Sequence, residues 1–85
     1  MRPVKIYTTR ICYYCDRAKD LLRKKNVPFE EIDVSDDHEM RMKLVEMTGG
    51  RRTVPQIWIG DRHVGGFDDL SELERRGELD ALLQD

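Results

Sequence analysis

The chain has 85 residues, with 15 Lys and Arg against 17 Asp and Glu and a formal charge of −2, so no bulk positive field is available to drive nucleic-acid binding. That length suits one domain spanning 1–85 and leaves no room for a second. With 39% hydrophobic and 38% charged residues the composition supports a core under a well-solvated exterior, which argues against wholesale disorder and against a membrane-facing surface. The longest apolar run, Ile11 to Cys15, is far short of the roughly 20 residues that span a bilayer. Met1 to Lys5 has no signal-peptide apolar segment. These features predict a cytoplasmic monomer with neither nucleic acid nor membrane as partner.

Apolar periodicity switches between 2 and 3.6 in short blocks, which is how a mixed α/β domain reads. Val4 and Ile6 alternate around Lys5 before Tyr7-Thr8-Thr9, predicting a first strand that ends just before the cysteines. From Tyr14, Ala18, Leu21 and Leu22 fall on one helical face and charged residues on the other, and Pro28 places the end near Asn26. Phe29 to Val34 reads as a second strand. Asp36 with Glu39 has the spacing of a capping box, followed by a helical stripe of Met40, Leu44 and Met47 that Gly49-Gly50 closes. The methionines read as core filler rather than soft-metal ligands. Gln56–Ile59 and Arg62–Gly65 flank Gly60-Asp61, the signature of an antiparallel hairpin. Asp68-Asp69 suits the start of a further helix that Gly77 stops, and Leu79, Leu82 and Leu83 make a last turn. A right-handed crossover through the first helix makes the first two strands parallel. The expected fold is α/β, a four-stranded mixed sheet with helices on both faces.

Cys12-Tyr13-Tyr14-Cys15 falls at the predicted strand-to-helix turn. Two cysteines so close constrain little chain entropy when bonded, so their use is chemical rather than structural. At the helix start the unsatisfied N–H groups and the helix dipole favour thiolate over thiol at Cys12, within a depressed range of about 3.5–7.5. One turn on, Cys15 comes within disulfide reach, so that it can attack a mixed disulfide formed at Cys12. Cys12 is thus the expected nucleophile and Cys15 the resolving thiol. Zinc would require two more ligands, and His38 and His63 lie 25 residues apart in different elements, which is not zinc-finger spacing. Each histidine reads as an ordinary surface residue, and Trp58 as a sheet residue packed under a helix.

Thr53-Val54-Pro55 places a proline directly before a strand, and the general preference for X-Pro bonds predicts trans. Taken together, Cys12-Tyr13-Tyr14-Cys15, Thr53-Val54-Pro55-Gln56 and Gly65-Gly66-Phe67-Asp68-Asp69-Leu70 resemble the bacterial dithiol glutaredoxins of the small glutaredoxin-3 type, in order and spacing across essentially the whole chain. The resemblance implies a thioredoxin-like fold in which Pro55 is cis and the Val54 backbone faces the active-site sulfur. It also implies glutathione as electron donor, laid along that backbone like an added strand. The γ-glutamyl carboxylate would meet N–H groups of Phe67, Asp68 or Asp69 at a helix N-terminus. The Asp69 or Asp68 carboxylate would meet the γ-glutamyl ammonium, with Gly66, Tyr14, Thr53 and Pro55 lining the site.

Two departures bear on this expectation. Tyr13 stands where these proteins most often carry proline, and some relatives lacking that proline hold a [2Fe–2S] cluster between two subunits, with Cys12 here as the matching ligand and glutathione as co-ligand. Thr9 stands where a lysine often meets the glycine carboxylate of glutathione. Arg10, Arg51 and Arg52 are its candidate replacements, since a guanidinium suits a carboxylate. The expected activity is reduction of protein disulfides and of glutathionylated proteins. Its rivals are a glutathione-ligated [2Fe–2S] scaffold or carrier acting as a dimer, and a protein of the same type reduced by thioredoxin reductase.

Overall fold

In a computed structural model, described over residues 1–84, the chain runs β1 (Val4–Thr8), α1 (Tyr13–Lys24), β2 (Glu30–Asp33), α2 (His38–Met47), β3 (Gln56–Ile59), β4 (Arg62–Gly65), α3 (Phe67–Arg75) and α4 (Leu79–Leu83). Asp85, the last residue of the expected 1–85 domain, lies outside the described residues. The four strands form one sheet in the order β2-β1-β3-β4. As expected, β1 and β2 are parallel and the other pairs antiparallel.

Strand alternation distributes the core over both faces. Val4, Ile6, Ile57 and Ile59 pack against Ala18 and Leu22 of α1, Leu70 of α3 and Leu79 and Leu83 of α4. On the other face Tyr7 packs with Val34 and with Leu44 of α2, flanked by Ile32, Met40 and Trp58. Of the methionines expected to fill the core, only Met40 packs against it among those described; Met1 and Met42 are exposed, and Met47 is half exposed. It occupies the last turn of α2, at the edge of the smaller core.

Helix ends explain how the chain is steered. After α1, Asn26 takes φ of 58°, its N–H bonds to the Arg23 carbonyl, and the N–H of buried Val27 reaches back to that of Leu22. This double return closes the helix in the manner of a Schellman motif, with asparagine in the left-handed position. At α2 the expected cap is corrected by one residue. Asp37, not Asp36, caps the helix, with its Oδ1 accepting from the Met40 N–H at 3.0 Å. Both aspartates carry the needed side chain, and Asp36 is instead engaged by Arg10.

Glu31 ties β2 to β1 and α1. Its Oε2 accepts from the buried Thr8 hydroxyl at 2.8 Å and from Lys19 Nζ at 3.0 Å. Burial pushes its carboxyl up, but the bonds from Thr8 and Lys19 outweigh it and leave the group below its ordinary value. A carboxyl depressed on folding stabilises the protein above its unfolded value, and that contribution is lost as the pH falls through the folded one. Glu31→Gln is therefore expected to lower the urea midpoint at pH 7 and to flatten its decline below about pH 4.3. Identical pH slopes for the two proteins would contradict this account.

Candidate active site

Cys12 is the N-cap of α1, in extended conformation, and its Sγ accepts from the Cys15 backbone N–H at 3.0 Å. The two sulfurs are joined in a disulfide with Cα atoms 5.2 Å apart. Cys15 is 1% exposed, whereas Cys12 remains partly open to solvent. An incoming disulfide can reach Cys12 first, and the helix-start N–H is already aimed at the sulfur that would carry negative charge.

The loop between α2 and β3 supplies the opposite wall. The Val54–Pro55 peptide is cis, as the resemblance implied and against the general preference. The Val54 carbonyl oxygen lies 3.7 Å from Cys12 Sγ. A groove of about 250 Å³ brings together Tyr14, Thr53, Val54, Pro55, Gly66, Phe67, Asp68 and Asp69, and adds Arg51. Tyr14 stacks on Phe67 with ring centroids 6.2 Å apart. Arg17 stands over Phe67 at 5.0 Å and donates to the Tyr13 hydroxyl at 3.1 Å. Exposed Ile11, Tyr13 and Tyr14 form an apolar rim about the sulfur.

One end of the groove is the start of α3, whose first N–H groups lack acceptors within the helix. Asp69 turns back so that its Oδ2 accepts from the Gly66 N–H at 2.9 Å and from Arg51 Nη2 at 3.3 Å. Gly65 adopts φ of +119°, and a Cβ there would collide with the Asp69 carboxylate and lie 2.7 Å from Arg51 Nη1. Both the backbone and the close approach demand glycine.

The candidate arginines separate in space. Arg10 is held bidentately by Asp36 at 2.6 and 3.0 Å and does not line the groove. Arg52 lines an adjoining cavity of about 190 Å³ with His38, Arg41, Thr53 and Val54, while Arg51 borders both spaces. The described residues contain no group of three His, Cys, Asp or Glu that could hold a metal.

Sequence reasoning missed Gln56 and His63. Gln56 is fully buried and His63 only partly exposed, which corrects the expectation of a surface histidine. Burial, reinforced by Arg51 and opposed by Asp69, holds the His63 imidazole below its ordinary value. The available signal was strand alternation, which puts Gln56 on the same inward face as Trp58 and so calls for a buried partner.

A thioredoxin-like sheet with a disulfide-linked pair of cysteines at a helix start, one partly exposed and one buried, defines a thiol–disulfide oxidoreductase. A family model described as Glutaredoxin matches residues 4–64. The chain is 58% identical over 83 residues to a glutaredoxin of Pseudomonas aeruginosa, covering 98% of each. It is 46% identical over 84 residues to glutaredoxin 3 of Escherichia coli, covering 99% of this chain and all of the relative. Among solved structures, a buckwheat glutaredoxin–glutathione complex superposes with a TM-score of 0.89 at 30% identity, over 96% of this chain and 76% of that one. The chain belongs to the glutaredoxin family.

Proposed function

We propose that this protein is a glutathione-dependent reductase of protein disulfides and of glutathione mixed disulfides. The observation that carries the reading is the groove itself, which extends from Val54, whose carbonyl lies 3.7 Å from the Cys12 sulfur, to the N-terminus of α3. That arrangement suits a short extended peptide with an anionic end beside its thiol, and the buckwheat relative was solved as a glutathione complex.

The chemistry follows from which sulfur is accessible. The Cys12 thiolate attacks the glutathione sulfur of a mixed disulfide, forming a Cys12–glutathione disulfide and expelling the protein thiolate. A second glutathione thiolate then attacks the glutathione sulfur of that adduct, releasing oxidised glutathione and regenerating Cys12. With a protein disulfide, Cys12 forms the mixed disulfide with one sulfur and Cys15 attacks Cys12, so the substrate leaves as a dithiol and the pair is left oxidised. Two glutathiones reduce the pair again. The Cys15 N–H on Cys12 Sγ stabilises the thiolate at the start and end of each cycle.

In this reading the γ-glutamyl carboxylate sits on the N–H groups at Phe67 and Asp68, and the ammonium meets Asp69. The glycine carboxylate falls to Arg52, on the far side of Thr53-Val54 from α3, because Arg10 is committed to Asp36. The cytosolic glutathione pool is the source of electrons. For the [2Fe–2S] alternative, one chain offers Cys12 alone, and the remaining ligands would come from a second copy and glutathione. Visible absorbance after anaerobic purification with glutathione would reveal that second role.

The deciding assay follows turnover of a glutathione mixed disulfide with reduced glutathione and glutathione reductase, beside thioredoxin reductase as the other electron source. Robust turnover with glutathione is expected. Turnover with thioredoxin reductase alone would overturn the proposed donor.

A further inference from the structure

Gln56 begins β3 immediately after the cis-proline and is 0% exposed, and its side-chain amide is used at both atoms. Nε2 donates to the Thr53 carbonyl at 2.9 Å, and Oε1 lies 2.7 Å from His63 Nε2. Since a carbonyl only accepts, the Gln56 nitrogen must face Thr53 and its oxygen must face His63. His63 Nε2 therefore carries a proton. The ring is itself held, its centroid 4.6 Å from that of Trp58 and tilted 33°. The hairpin register set at the Gly60-Asp61 turn, Ile59 opposite Arg62, places His63 opposite Trp58 and diagonal to Gln56.

We propose that His63 is a positioning residue for the glutathione groove, acting through Gln56 on the Thr53–Val54 peptide. A trans peptide is planar, with its carbonyl and N–H pointing in opposite directions. Of the described peptide bonds only Val54–Pro55 is cis, so anchoring the Thr53 carbonyl on Gln56 directs the Val54 N–H away from the buried amide. Val54 is also the residue whose carbonyl stands 3.7 Å from Cys12 Sγ. The inference rests on the reading above, in which that backbone receives glutathione. A donor at position 63 locks the orientation of the amide. With an acceptor there, the amide would turn over and set oxygen against oxygen at Thr53, and with an apolar side chain a buried carbonyl would go unpaired. His63 touches no reacting sulfur and transfers no proton.

The test compares the wild type with His63→Phe, which keeps a ring on Trp58 without the donor, and with His63→Gln, whose amide restores one. His63→Phe is expected to raise KM for a glutathione mixed disulfide about fivefold, the size of one neutral hydrogen bond, with kcat nearly unchanged. His63→Gln is expected to return KM most of the way. Long-range proton–nitrogen spectra of the wild type should show His63 protonated at Nε2. The Val54 amide resonance should shift in His63→Phe and recover in His63→Gln. Wild-type KM in folded His63→Phe, or equal defects in both variants, would overturn the proposal. A wild type that does not turn over with glutathione would overturn the functional reading instead, and the His63 tautomer and Val54 resonance would then decide this inference by themselves.

Discussion

Cys12→Ser is expected to abolish transfer from both glutathione mixed disulfides and protein disulfides, a loss on the order of a thousandfold or more. Serine keeps the N-cap geometry, because its hydroxyl can also accept from the Cys15 N–H, so the fold should survive while the nucleophile is gone. Cys15→Ser separates the two substrates. The thiolate-stabilising contact comes from the Cys15 backbone and persists when the side chain changes. Turnover of the mixed disulfide should therefore stay within about twofold of wild type, while reduction of protein disulfides that need a second thiol falls at least about tenfold. Burying a hydroxyl at a position only 1% exposed costs about 1–2 kcal/mol, which a urea titration would report separately from activity. Full activity of Cys12→Ser, or equal loss of both substrates in Cys15→Ser, would contradict the division of labour between the two sulfurs.

What the chain shows without its structure is what is decided locally. The alternation of Val4 and Ile6, the 3.6 period through Ala18 and Leu22, and the Gly60-Asp61 turn each lie within a few residues, and the elements fall there. The redox pair was equally plain, because its spacing and its place before a helix are both local. Contacts across the fold were not. Arg10, Arg51 and Arg52 are interchangeable on paper. Their fates depend on Asp36, which lies 26 residues from Arg10, and Asp69, which lies 18 from Arg51. Asp36 and Asp37 offer the same capping chemistry, and only the fold shows that the second caps while the first pairs with Arg10. The cis bond before Pro55 opposes the general preference and became expected only through the resemblance, since nothing in Thr53-Val54-Pro55 by itself selects it. His63 looked like surface because its partner is the buried Gln56 side chain of the neighbouring strand, diagonal to it across the hairpin, and strand signals do not show which side chains meet there.

The same non-local pairing makes Asp69 the most informative acidic residue. Its carboxylate serves Gly66, Arg51 and, in the proposed reading, the γ-glutamyl ammonium. Asp69→Asn keeps an acceptor for the Gly66 N–H and removes the charge. It should raise KM for glutathione about tenfold, the size of one charge-assisted hydrogen bond, while barely moving the urea midpoint. Asp69→Ala removes the acceptor as well and should add about 1 kcal/mol of destabilisation through the uncapped start of α3. Arg51→Met points the other way. The Arg51–Asp69 pair is roughly half exposed and so contributes at most about 1 kcal/mol to stability, yet in the proposed reading Arg51 would compete with the ligand's ammonium for the same oxygen. Its removal should leave KM unchanged or lower it, and the difference between wild type and Arg51→Met should shrink at 1 M salt, where the screening length is about 3 Å. An Asp69→Asn protein with wild-type KM would take the ammonium away from this carboxylate and leave Asp68 as the acidic residue to test.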